Sequence, residues 1–240
     1  EDEHGGYMLN SKDMCLLPRL PDLLNLGMDS LKVEGRNKTE YYAAVVARTY
    51  RQAIDDYYSD PRHWDFRRYM DDLYTLQNRG YCLGFHDGKL TNISQNYEYT
   101  RTLGDWLFAG SIVEWQGNQA IFEIRNYIDK GEFIEFLLPG TLDNLRITFD
   151  EFEDADSGEI TAKVSAGQGK KIRIDFNKCK IQYCRNEKEE PKTVPELNIE
   201  KIKKLLPQYC IARKPAPLTG ENRTMLDHKK AEFTQLCNRE

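Results

Sequence analysis

The chain has 240 residues, of which 40% are hydrophobic and 30% charged, a balance typical of a globular protein with one large or two modest domains. Its net charge of −5 argues against a general nucleic-acid binder, although a local basic patch stays open. No stretch approaches the roughly eighteen consecutive apolar residues of a membrane span, and no signal peptide is recognisable. Because the first residues are acidic and lack an initiator Met, we expect a chain cut from a longer protein.

The first 58 residues alternate between short apolar stretches and helical patterns. Residues 7–10 and 29–35 each predict a buried strand, and the Leu-rich stretch between them ends at Gly27. A long helix follows, for which Asn37 and Glu40 suggest a capping arrangement. Its predicted apolar stripe consists of Tyr42, Val45, Val46, Tyr50, Ala53, Ile54 and Tyr57. This alternation predicts parallel strands joined by helical crossovers.

Along the remainder of the chain, the predicted secondary structure changes from helical to β-rich and then to a partly helical tail. Residues 65–78 predict a shorter helix, and a turn-rich connector covers roughly 84–105. Seven short β-rich runs then predict a small closed β-barrel. These runs are Ile112–Trp115, Ala120–Arg125, Phe133–Leu138, Leu145–Phe149, Ile160–Val164, Lys171–Phe176 and Ile181–Tyr183. The tail predicts helices at 196–206 and 224–237. We therefore divide the chain into 1–58, a helical connector 59–105, a β-barrel 106–183 and a tail 184–240, partly helical or disordered.

Polar clusters follow the two predicted N-terminal strands. The first contains Asn10, Ser11, Lys12 and Asp13, and the second contains Lys32, Glu34, Gly35, Arg36 and Lys38. Active sites of (β/α) barrels lie at the carboxyl ends of strands, and cations there favour a carboxylate or phosphate. Glu34 would orient Arg36 or act as a base. Lys32 and Glu34 share one face of the predicted strand, which in a barrel points inward. The alternative is that these charges only solvate loops and cap helices.

The six cysteines are expected to be reduced thiols, because the chain is large and shows no export signal. Cys15 on its Leu-rich helix is either a buried apolar residue or a metal ligand. Four thiols lie downstream, at Cys179, Cys184, Cys210 and Cys237, and suggest either a zinc or iron–sulfur site or unpaired thiols; the second close cysteine pair that is usual in a structural zinc site is missing. The aromatic run 95–99, with Arg101 and Trp106, favours either base stacking or a contact between domains.

Several stretches resemble the collagenase-like peptidase U family, number thirty-two in that series. The likeness is carried by NSKDMC at residues 10–15, by SLKVEGRNKTEYY at residues 30–42, and by the connector segments 79–85 and 95–99. It covers roughly residues 1–183. The resemblance is strongest to the branch of this family that hydroxylates transfer RNA. No counterpart is recognised for the tail.

The resemblance implies an α/β then all-β fold: the C-terminal portion of a TIM-type (β/α) barrel, followed by a small antiparallel β-barrel. It further implies a 4Fe-4S cluster in the full-length protein with Cys15 as one ligand, the other ligands lying upstream. The implied activity is prephenate-dependent hydroxylation of the tRNA wobble uridine in the cytoplasm. The partners would be tRNA and a small carboxylate such as prephenate, with Lys12, Glu34 and Arg36 as catalytic residues. Asn10, Ser11, Lys32, Gly35 and Lys38 would bind substrate.

Two other functions stay open. The family takes its name from collagenase-like proteolysis, although no nucleophile–base pair or zinc motif is visible in the sequence. The alternative prediction for the β-barrel is a non-catalytic module that binds RNA or a partner protein. In either case we expect the fragment alone to be inactive, without a cluster of its own and without any attachment to a membrane.

Overall fold

The computed structural model describes residues 10–86, 88–97, 102–167, 169–185, 192–193 and 198–238. Of the predicted strand at 7–10, only Asn10 is among them. The chain forms two compact units. Unit 1 comprises residues 1–34, 49–106 and 216–240, and unit 2 comprises residues 35–48 and 107–215.

The α-helices of the described residues are α1 (Leu20–Asn25), α2 (Glu40–Ser59), α3 (Arg67–Tyr74), α4 (Ile199–Leu205) and α5 (Gly220–Cys237). The first strands are β1 (Asp13–Met14), β2 (Tyr81–Cys82), β3 (Trp106–Gln116), β4 (Gln119–Ile124), β5 (Ile128–Asp129), β6 (Phe133–Leu137) and β7 (Asn144–Thr148). They are followed by β8 (Phe152–Asp154), β9 (Ile160–Thr161), β10 (Lys163–Val164), β11 (Lys171–Asp175), β12 (Lys180–Cys184), β13 (Lys192–Thr193) and β14 (Ile211–Pro215).

The sequence located the helices well, within a few residues. Helix α2 buries Val45, Val46 and Ala53 of the predicted stripe, which confirms its apolar face. Its first turn is capped differently from the prediction, because Thr39 Oγ1, not Asn37, accepts a hydrogen bond from Tyr42 N at 3.3 Å. The two predicted tail helices are confirmed as α4 and α5.

The strand predicted at 29–35 was wrong, since this segment has no regular secondary structure and leads into a turn at residues 36–38. A strand of this length is stable when its backbone pairs with neighbours, and no described segment pairs with it. The structure instead pairs β1 with β2 in parallel, with Asp13 opposite Tyr81 and Met14 opposite Cys82. This short pair belongs to unit 1 and holds the first polar cluster.

Unit 2 is built on a ten-stranded sheet, with strand order β13-β12-β7-β6-β14-β3-β4-β11-β8-β9. Every ladder of this sheet whose register is described is antiparallel. All seven predicted β-rich runs contain strands, and the run 160–164 is divided into β9 and β10. The antiparallel C-terminal architecture is thereby confirmed. Strands β1, β2, β5, β8, β13 and β14 were not foreseen.

The core of unit 2 lies on the apolar face of this sheet. Ile134 and Phe136 of β6 and Leu145 and Ile147 of β7 are fully buried, and their alternating positions place them on one face of the sheet. The ring of Phe136 meets that of Phe122 edge to face at 5.6 Å between centroids. None of the described helices is both long and apolar enough to cross a membrane.

Candidate functional site

The first polar cluster is held in place by backbone hydrogen bonds to one other segment of unit 1, residues 94–96. Lys12 N donates to Ser94 O at 3.0 Å, and Asn96 N donates to Asn10 O at 2.8 Å. Ser11 forms an antiparallel bridge with Gln95 between these two bonds. The Asn10 side chain adds a bond from Nδ2 to Asn96 O at 2.9 Å. The segment therefore has a fixed backbone from which the Lys12 side chain projects.

The side chain of Lys12 is enclosed. It is only 7% exposed, and its Nζ lies 2.5 Å from Oε1 of Glu232 on helix α5. Its methylene stem passes over Gly80, where a Cβ would meet Lys12 Cδ at 3.4 Å. A covered ammonium with a single described carboxylate partner is a strong local field for any anion that reaches it.

A second cation lies in the same region and was missed by sequence reasoning. Lys229 of helix α5 is buried, and its Nζ donates to Asn78 O at 2.8 Å. Burial lowers the pKa of Lys229 to about 8, while Asp13 raises it and Lys12 lowers it further. Its only signal in the sequence is the helical spacing of Lys229 and Phe233, which places both on one side of α5.

Asp13 forms a separate ion pair with Arg79. Arg79 Nη2 donates to Asp13 Oδ1 at 3.0 Å, and Arg79 N donates to Asp13 Oδ2 at 3.1 Å. Both side chains are partly exposed, at 35% for Arg79 and 21% for Asp13. The carboxylate thus fixes the segment that carries Gly80 beneath Lys12, a structural task that the sequence did not reveal.

The second predicted cluster is placed differently. Lys32 and Glu34 lie 3.7 Å apart with side chains 86% and 71% exposed, so the expectation that they point inward was wrong in this fold. The reason is the missing strand, because without a ladder there is no buried face for them to share. An ion pair this exposed contributes little to stability.

The rest of that cluster belongs to unit 2, at the start of helix α2. Lys38 N donates to Gly35 O at 2.9 Å and closes the turn, while Lys38 Nζ lies 5.3 Å from the centre of the Tyr42 ring. A Cβ on Gly35 would approach that ring at 3.2 Å. Arg36 is exposed. These residues form a solvated helix entry in the described structure.

Cys15 lies in the core of unit 1. It is 4% exposed, burial raises the pKa of its thiol to about 11, and Sγ lies 3.9 Å from Tyr50 Oη. Within the described ranges, no three side chains of His, Cys, Asp or Glu come together as a metal site. The described residues therefore do not by themselves fit a 4Fe-4S cluster, since Cys15 would supply one of several ligands.

Desolvation holds three of the downstream thiols in their neutral form; Cys184 and Cys210 are buried, and Cys179 is partly exposed. Desolvation raises the pKa of Cys179, Cys184 and Cys210 to about 12 in each case. A thiolate is the reactive form, so these three side chains lack the activation of a nucleophilic cysteine.

The base stacking predicted for Trp106 is ruled out in this fold, because its side chain is 2% exposed. Arg101 and residues 98–99 lie outside the described residues.

Comparison with known proteins places these observations in a family. Residues 1–96 match the model of peptidase family U32, and residues 105–190 match that of the peptidase family U32 C-terminal domain. The chain is 36% identical over 157 residues to "tRNA hydroxylation protein P" of Escherichia coli, and 37% identical over 150 residues to the protein of that name in Haemophilus influenzae. These alignments cover 65% and 61% of this chain.

A more distant relative carries a different name. The "Collagenase" of Porphyromonas gingivalis is 27% identical over 89 residues, which is 37% of this chain and 25% of that protein. The chain spans about a third of the length of the two tRNA hydroxylation proteins, at 34% and 32%. Two domain models of one family match in consecutive order along the sequence, and the chain belongs to peptidase family U32.

Proposed function

We propose that this chain is the C-terminal part of an enzyme that takes part in prephenate-dependent hydroxylation of the wobble uridine of tRNA. The observation that carries the proposal is the enclosed ammonium of Lys12 within a motif shared with the family. The names of the relatives from two bacteria support the reaction class. The site of action would be the cytoplasm, where tRNA is modified.

Lys12 would bind a carboxylate of the small substrate. Prephenate carries two carboxylates, and a charge-assisted hydrogen bond from a buried ammonium is about twice as strong as a neutral one. The ammonium of Lys229 would add to the positive potential. The predicted roles of Asn10, Ser11, Lys32, Glu34, Gly35, Arg36 and Lys38 stay predictions, and the strong exposure of Lys32 and Glu34 makes Lys12 the first residue to test.

The first part of the chain would complete a TIM-type (β/α) barrel. Large apolar side chains of unit 1 stand in solvent, including Met14 at 65%, Leu26 at 73% and Phe85 at 72% exposure. Where such side chains form one contiguous patch, they mark an interaction site. Further strands and helices of a barrel would cover it and would also supply partners for the segment 29–35.

Cys15 would be one ligand of a 4Fe-4S cluster in the full-length protein. When bound, such a cluster supplies one-electron redox chemistry. Iron should be measured in the full-length parent purified without oxygen, comparing wild type with Cys15→Ala and with the control Cys179→Ala. Loss of iron in Cys15→Ala alone supports the assignment. Equal iron in all three proteins, or none in the wild type, would overturn it.

The function itself is tested by genetics and mass spectrometry. Deletion of the encoding gene should abolish wobble hydroxyuridine in total tRNA, and re-expression of the full-length gene should restore it. Unchanged hydroxyuridine in the deletion strain would sink the proposal.

Collagenase-like proteolysis is the second candidate, favoured by the name of the Porphyromonas relative. Against it stand the neutral thiols of Cys15, Cys179, Cys184 and Cys210 and the lack of a metal-binding cluster in the described part of the chain. Gelatin cleavage by the full-length protein, abolished by a single-site variant, would establish this reading.

Unit 2 would serve as the docking module for tRNA or a partner protein. Antiparallel sheets of this size commonly present such platforms. A gel shift of the full chain with tRNA at low and high salt tests this role, because contacts to phosphates weaken steeply as salt rises. No shift at either salt concentration would argue against tRNA docking, and a shift that is independent of salt would contradict binding through phosphate contacts.

A further inference from the structure

Helix α5 lies beyond the residues that match the family, which end at 190. It nevertheless contributes two charged side chains to the region around Lys12. Lys229, Glu232 and Phe233 are spaced by three and four residues, so they occupy one side of the helix. Lys229 reaches Asn78 O, and Glu232 reaches Lys12 Nζ. Phe233 is 1% exposed, with its ring 5.5 Å from that of Tyr81 in β2.

Further contacts fix the helix in this position within unit 1. Lys230 Nζ lies 2.9 Å from Oδ2 of the buried Asp105, and Ala216 N donates to Asp105 O at 2.8 Å just ahead of α5. Near the end of the helix, Arg67 Nη2 donates to Asn238 Oδ1 at 2.7 Å. The carboxylate of Glu232 is thus delivered to Lys12 by a docked element, not by a freely rotating surface side chain.

The contact between Glu232 and Lys12 has the chemistry of a bound ligand. The ammonium donates to an oxygen of the Glu232 carboxylate within hydrogen-bond distance, the same charge-assisted contact that a substrate carboxylate would accept. The two partners differ in exposure, at 7% for Lys12 and 40% for Glu232. Because water already reaches the carboxylate, Glu232 can move into solvent and stay hydrated, whereas the ammonium of Lys12 remains enclosed and requires another anion.

We propose that Glu232 acts as an internal ligand, so that helix α5 gates Lys12 by occupying its ammonium until a carboxylate or other anion takes its place. The identification of this anion with the substrate rests on the proposed function. The covering of Lys12 by Glu232 is independent of that function. The gate predicts that Lys12 is protected from amine-reactive reagents and that an isosteric loss of the Glu232 charge exposes it.

The test is competitive acetylation of the full chain, with the rate at each lysine read by peptide mass spectrometry. Glu232→Gln should raise the rate at Lys12 about threefold or more, the order expected for release of a partly exposed ion pair. The exposed Lys32 serves as the internal reference within each sample. Asp227→Asn, an equal loss of charge at an exposed position of the same helix, should leave Lys12 at the wild-type rate.

Glu232→Asp keeps the charge but shortens its reach, so it should give an intermediate rate; this second variant keeps the test decisive if Glu232→Gln unfolds. An unchanged Lys12 rate in both variants would overturn the gate, as would a rise of equal size in Asp227→Asn. Prephenate added to Glu232→Gln then separates the two proposals. Protection of Lys12 supports both, whereas exposed Lys12 without protection supports the gate and counts against the proposed substrate.

Discussion

At the scale of single residues, unit 2 contains a buried cluster of charged side chains around Glu135. Glu135 of β6 is 2% exposed and accepts hydrogen bonds from two arginines. Arg146 Nη2 reaches Oε1 at 2.7 Å, and Arg213 Nη2 reaches Oε2 at 3.1 Å. Cys184 Sγ lies a further 3.4 Å from Oε1. One buried carboxylate on β6 thus compensates two guanidinium groups on the neighbouring strands β7 and β14.

Removing the negative charge of Glu135 should strongly lower the free energy of unfolding. Glu135→Gln removes the negative charge that Glu135 supplies to the buried guanidinium of Arg213, for which we expect a loss of about 3 kcal/mol in the free energy of unfolding. The control Glu153→Gln weakens a half-exposed pair with Arg173 and should cost less than about 1 kcal/mol. Urea unfolding of both variants measures the difference. Equal losses would show that the buried cluster is no more important than a surface pair.

Because of the buried thiols, the free energy of unfolding is expected to decrease at alkaline pH. Burial raises the pKa of Cys210 from 9.0 to about 12, so the neutral thiol is favoured in the folded state. The resulting stabilisation is complete below pH 9 and is lost as pH rises toward 12. Between pH 8 and 10, wild type should therefore lose roughly 1 kcal/mol more than Cys210→Ala. Urea unfolding at both pH values checks this, and parallel losses in the two proteins would contradict it.

At the scale of elements, the turns and alternation of residues 107–183 were sufficient to locate seven strands. The later strand β14 was missed because its sequence, Ile211–Pro215, carries Arg213 and Lys214 in a run that reads as polar. Both side chains are buried and form ion pairs. Arg213 pairs with Glu135, and Lys214 Nζ lies 2.6 Å from Oε2 of Glu132. Partners on other strands decide their burial, and no local pattern reveals a partner that is 78 residues away.

The long strand β3 depends on a close approach at one glycine. A Cβ on Gly110 would lie 2.1 Å from Glu123 O and 2.7 Å from the Phe122 ring. Gly110→Ala should therefore force β3 and β4 apart and cost about 2 kcal/mol, as overpacking does. Gly117→Ala, at the open turn between the same strands, should cost about 1 kcal/mol through its positive φ alone. Thermal unfolding compares them, and a smaller loss for Gly110→Ala would refute the packing argument.

At the scale of the whole molecule, the family and the polar Asn10–Asp13 segment were predictable because both rest on short contiguous motifs. The environment of Lys12 was not, since Gly80, Lys229 and Glu232 come from segments 68 to 220 residues away, as the Lys12–Glu232 separation illustrates. The inward placement of Lys32 and Glu34 failed for a related reason: it required neighbouring strands that the described residues do not provide.

The enclosed ammonium of Lys12 is the central claim, and one measurement tests it most directly. Cells that lack the native gene should express the full-length parent as wild type, as Lys12→Met or as the control Lys163→Met, which alters an exposed lysine of unit 2. Methionine keeps the stem over Gly80 and removes the charge. Lys12→Met should lower wobble hydroxyuridine about tenfold or more, as expected for the loss of a charge-assisted hydrogen bond, with Lys163→Met unaffected. Wild-type hydroxyuridine in Lys12→Met, at equal protein abundance, would contradict the account.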